Sequence, residues 1–74
     1  MTKRTLTGLI EREGDGYVSR CPELEIASQG STIEEARKNL IEAVELFFET
    51  ASPEEIRERA AGELYVTPIE VTIG

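Results

Sequence analysis

Seventy-four residues, fifteen acids against eight bases, no histidine and one cysteine bound what this chain can do. The length allows a single domain, residues 1–74, able to bury only about 60% of its unfolded surface. The lone Cys21 excludes a disulfide framework, the lack of histidine excludes the common zinc patterns, and the net charge of −7 disfavours nucleic acid and favours basic partners. Without staples, a domain this small gains most readily from oligomerisation. Met1-Thr2-Lys3-Arg4 carries charge, but no apolar run of signal-peptide length follows it. No stretch approaches the ~18 apolar residues of a membrane span. A cytoplasmic protein with no membrane contact is therefore expected.

In chain order, Thr5–Glu13 reads as a first strand, since threonine and isoleucine favour a pleated surface. Gly14-Asp15-Gly16 is a turn, because the glycines permit positive φ. Tyr17–Cys21 is a second strand, making a hairpin with the first. Pro22 interrupts the pattern, and a short third strand runs from Ile26 to Gln29, ended by Gly30. Thr32 and Glu35 then form a capping box, with Ser31 and Glu34 offering the same pairing one residue earlier.

The helix that follows runs to about Thr50. At about 100° per residue, Ile33, Ala36, Leu40, Ile41, Val44, Phe47 and Phe48 share one face, with the acids opposite. Arg37 falls among the apolar positions and Leu46 on the polar side. Ser52-Pro53-Glu54-Glu55 starts a second, shorter helix, with Ile56 and Ala60 inward and Gly62 at its end. Leu64–Ile73 reads as a final strand: Ile69, Val71 and Ile73 alternate with Glu70 and Thr72. Pro68 argues for an edge position or a bulge there. The fold class is therefore α+β, in the order β-β-β-α-(short α)-β. An antiparallel sheet carries the long helix on one face, the only place its apolar stripe can go.

No catalytic, metal or cofactor site emerges. Cys21 has no histidine to activate it, and its neighbour Arg20 points to the other strand face. Glu11 and Glu13 share a strand face, but no second segment delivers the matching acids that a metal-dependent nuclease needs. Ser28-Gln29-Gly30-Ser31-Thr32 lacks the glycines and lysine of a phosphate loop, and acids already occupy the helix start.

The stretch Gly16–Glu49 resembles the HicB-like antitoxin family. The resemblance is carried by Tyr17-Val18, Cys21-Pro22-Glu23-Leu24, Gln29-Gly30-Ser31-Thr32, Glu34-Glu35-Ala36 and Phe47-Phe48. It implies a partial ribonuclease-H-like unit without catalytic acids, which binds and neutralises HicA toxins. Those are small basic RNA-cleaving proteins with a catalytic histidine, and the antitoxin blocks that site by occupying it. It also implies a dimer or tetramer. Many members carry a C-terminal DNA-binding domain; this sequence departs from them in stopping at Gly74, and autonomous repression is not expected of it. The family's usual Pro-Gly-Cys step after the leucine is Glu25-Ile26-Ala27 here, which reads as a straighter third strand.

The resulting expectation is a non-catalytic protein that sequesters a basic HicA-like toxin, with Tyr17, Glu23 and Glu25 as partner-contacting residues. The alternative is a stand-alone oligomeric module that binds a small molecule or serves as an interaction domain. A metal-dependent nuclease is the third reading.

Overall fold

In a computed structural model, residues 3–74 are described; Met1 and Thr2, part of the charged start, lie outside the described residues. The elements are β1 (Leu9–Glu13), β2 (Gly16–Cys21), β3 (Ile26–Gly30), α1 (Ile33–Thr50) and α2 (Pro53–Ala60). The three strands form an antiparallel sheet in the order β1-β2-β3, with α1 laid across one face. The α+β class and the order of these five elements match the sequence reading.

The hairpin closes through a two-residue loop, Gly14-Asp15, since Glu13 pairs with Gly16. Gly14 takes φ +60° at the first loop position, where a tight hairpin turn compatible with strand twist needs a glycine. β1 begins four residues later than the alternation of Thr5–Glu13 implies. The reason lies at Thr7, whose amide donates to a Glu23 carboxylate oxygen (2.9 Å) instead of to a neighbouring strand.

Successive strand residues point to opposite faces, so Ser19 and Cys21 face α1 together with their cross-strand partners Ile10, Ser28 and Ile26. The core gathers Cys21, Leu24 and Leu40, flanked by Leu6, Ile26, Val44, Phe47 and Phe48. Two contacts fix how closely α1 approaches. Ser19 is fully buried, and its hydroxyl donates to the Ala36 carbonyl at 2.8 Å. Gly30 passes so near the helix start that a Cβ there would lie 2.5 Å from the Ala36 nitrogen. Consequently α1 leans on β3 and β2 and touches β1 least.

That lean leaves part of the helix stripe uncovered. Ala36 and Leu40 are buried, whereas Ile33 and Ile41 are exposed although they belong to the same face. Leu46 is exposed, as its position on the polar side implies.

The final strand is the principal correction. Leu64–Ile73 pairs with nothing among the described residues: it belongs to no sheet, and every residue from 61 to 74 is exposed. Its alternating pattern is intact, but a strand exists only where a neighbouring backbone supplies donors and acceptors, and none lies alongside. Among the described residues, both sheet edges, β1 and β3, are accordingly free of a strand neighbour.

Candidate interaction surface

The hairpin tip and the start of α1 meet at one end of the sheet. Tyr17 pairs with Gly30, which brings the Gly14-Asp15 loop beside the turn that leads into α1. This meeting depends on two small residues: a Cβ on Gly16 would lie 2.9 Å from the Gly30 carbonyl oxygen. Between them opens a hollow of about 670 Å³ lined by Glu13, Asp15, Tyr17, Gln29, Glu35 and Asn39, among others. Three of these residues bear carboxylates, and among the described residues no lysine or arginine lines the hollow.

Several of its polar groups have fixed orientations. The Glu35 amide donates to the Thr32 hydroxyl (3.0 Å), while the Glu35 carboxylate accepts from the Ser31 amide (2.8 Å). The capping box is thus made with Thr32 as the N-cap, and its return bond reaches Ser31. The Asn39 amide donates to the Gln29 carbonyl at 2.7 Å. At the rim, Arg12 donates to the Tyr17 hydroxyl (3.1 Å) and stacks 5.2 Å from the ring centroid. Tyr17 is therefore held flat and half-buried.

The three residues singled out from sequence do not meet. Tyr17 sits at the hairpin end of β2, and Glu23 and Glu25 lie past its other end, separated by about 13 Å of strand from Tyr17 to Cys21. Both Glu23 oxygens are engaged within the chain, one by the Thr7 amide and one by the Cys21 thiol (3.6 Å). Partial burial pushes the Glu23 pKa up, but hydrogen bonds from Thr7, its own amide and Cys21 together outweigh that and hold it below the ordinary carboxylate range. Glu25 is exposed and takes φ +55°, closing the turn Pro22–Glu25 ahead of β3. That turn replaces the straighter run-in that Glu25-Ile26-Ala27 implied.

Cys21 is 1% exposed. Desolvation raises its thiol pKa, the neighbouring Glu23 charge adds to the rise, and a backbone hydrogen bond with Leu24 only partly offsets it. A neutral, enclosed thiol is a packing residue. Among the described residues no three histidine, cysteine or acidic side chains gather as a metal site would require. No helix among them is long and apolar enough to cross a membrane.

The acids of the hairpin are legible in the sequence, whereas Glu35 and Asn39 become their neighbours only in the fold. The available signal was the pair Gly16 and Gly30, whose missing side chains let the two segments touch.

The arrangement defines a small α+β protein with one helix-covered sheet face and an acidic hollow at the hairpin end. The chain belongs to the UPF0150 family. It is 39% identical over 69 residues to the UPF0150 protein ssr1765 of Synechocystis sp., covering 90% of this chain and 86% of that one. It is 31% identical over 67 residues to a UPF0150 protein of Helicobacter pylori, covering 89% and 93%. No family model matches the chain, and no solved structure matches it significantly.

Proposed function

We propose that this UPF0150 protein is a non-catalytic antitoxin of the HicB-like kind. It binds a small basic HicA-type RNA-cleaving toxin in the cytoplasm and neutralises it by covering the catalytic site. The observation that carries the reading is the hollow at the hairpin end, where Glu13, Asp15 and Glu35 line the opening and the cation at the rim, Arg12, is engaged with Tyr17. A net charge of −7 draws a basic protein in, and the local carboxylates orient it. Tyr17 supplies a flat amphipathic contact at the rim, of the kind enriched in protein interfaces. Glu25 offers a second, exposed acid at the other end of β2. Glu23 acts differently, holding the Thr7 segment in place behind that end.

The test is RNA cleavage by a purified HicA-type toxin titrated with this protein. Cleavage is lost at a stoichiometric ratio. Asp15→Lys and Glu13→Lys, both on exposed positions, each slow association about tenfold without changing the far-UV spectrum. Full cleavage at saturating protein removes the proposal.

A further inference from the structure

Residues 64–73 carry the pattern of a strand without the position of one. Ile69, Val71 and Ile73 are 78%, 69% and 88% exposed, alternating with Glu70 and Thr72. No backbone hydrogen bond joins this arm to the rest of the described residues. The arm makes the molecule long, 50 Å against 29 and 19 Å, with a radius of gyration of 14.5 Å where a compact chain of this length has about 11 Å. A row of exposed aliphatic side chains on an unpaired extended segment is a surface that natural proteins cover.

A matching surface exists on the same molecule. Beside β1 and under the uncovered flank of α1 runs an open groove of about 510 Å³, lined on its apolar side by Leu6, Ile10, Leu40, Ile41 and Val44. It adjoins the free edge of β1, where among the described residues no side chain bonds to the backbone of Leu9–Glu13. The other edge is partly taken, since Asn39 donates to the Gln29 carbonyl on β3. An added strand needs an open edge for its main chain and pockets for alternate side chains, and only the β1 side offers both. The five residues Ile69–Ile73 match the five of β1, and Pro68 falls at the start of the paired stretch, where a missing amide is tolerated.

We infer that residues 69–73 are a strand contributed to a second copy of this chain, pairing along that copy's β1 edge with Ile69, Val71 and Ile73 in its β1–α1 groove. The exchange is reciprocal, so two arms and two grooves close into a symmetric dimer with no apolar arm left over. A second copy is the occupant because one surface lacks a filler and the other a pocket, and the arm lies away from its own body in the single chain. This surface is separate from the hairpin-end hollow, so neither proposal depends on the other.

Sedimentation velocity on the full chain, with methyl NMR on a mixture of differently labelled copies, tests it. The expected result is a species of twice the 8.2 kDa chain mass, with contacts between arm methyls of one copy and Leu40 and Val44 of the other. Val71→Asp, at an exposed position, weakens the dimer at least tenfold and leaves the helical signal unchanged. Ile41→Glu on the groove side does the same. A monomer at high micromolar concentration overturns the inference. So does a dimer indifferent to Val71→Asp, or arm-to-groove contacts found only within one copy.

Discussion

At Gly30, a single hydrogen atom in place of a side chain sets the distance between sheet and helix. A methyl group there would meet the Ala36 nitrogen at 2.5 Å and the Glu35 carbonyl carbon at 2.8 Å, both helix backbone that cannot yield cheaply. Gly30→Ala is expected to cost about 1–3 kcal/mol, read as a lower urea midpoint. Ser19 is the polar counterpart. Ser19→Ala removes one buried hydrogen bond and should cost about 1 kcal/mol in the same measurement. Glu23 gives the fold an acid sensitivity. Its folded pKa lies below the ordinary value, so the unfolded chain binds its proton first as pH falls. Its contribution is full above about pH 4.3 and is lost as pH drops through the lower folded value. Glu23→Gln should therefore be less stable than the parent at neutral pH, with the gap narrowing in acid; a gap constant from pH 7 to pH 2 would contradict the assignment.

At the scale of elements, both helices start by the same chemistry and end up with different roles. Thr32 caps α1 and Ser52 caps α2, each accepting from the amide three residues on. Thr32→Ala should cost about 1 kcal/mol, seen as a lower melting temperature. The apolar stripe of α1 was legible from spacing alone, but its division into buried and exposed halves was not. That division follows from Gly30 and Ser19, which tilt the helix toward β3 and leave Ile41 uncovered. α2 has no buried residue. It is tethered mainly through Arg59, which donates to the Leu24 carbonyl at 2.9 Å, lies 5.4 Å from the Phe47 ring centroid and pairs with Glu55. Arg59→Ala should raise hydrogen exchange across 53–60 while leaving the β2 amides protected, because the tether is local.

For the whole molecule, charge and shape divide the surface into two ends. The hairpin end is acidic and open, and the β1 flank of α1 is apolar and unfilled. If the chain captures a basic toxin as proposed, and does so by steering, the association rate should fall about tenfold or more between low and physiological salt, with dissociation changing little. Self-association through apolar arms should show the opposite character, weakening little as salt rises. The two dependences separate the two surfaces in one set of titrations.

The sequence by itself determined the two helices, their caps, the glycine turn and the apolar face of α1, because each rests on contacts within a few residues; it marked the three strands by their alternation, while their existence rests on pairing between segments up to 13 residues apart. It also carried the net charge and the resemblance across Gly16–Glu49. Tertiary structure alone decided where those elements meet. It set Glu35 and Asn39 beside the hairpin acids, parted Tyr17 from Glu23, engaged Glu23 with Thr7 and left Leu64–Ile73 without a strand neighbour among the described residues. Alternation records which side of a segment prefers an apolar surrounding. Whether a backbone partner stands beside that segment depends on distant parts of the chain, or on another chain.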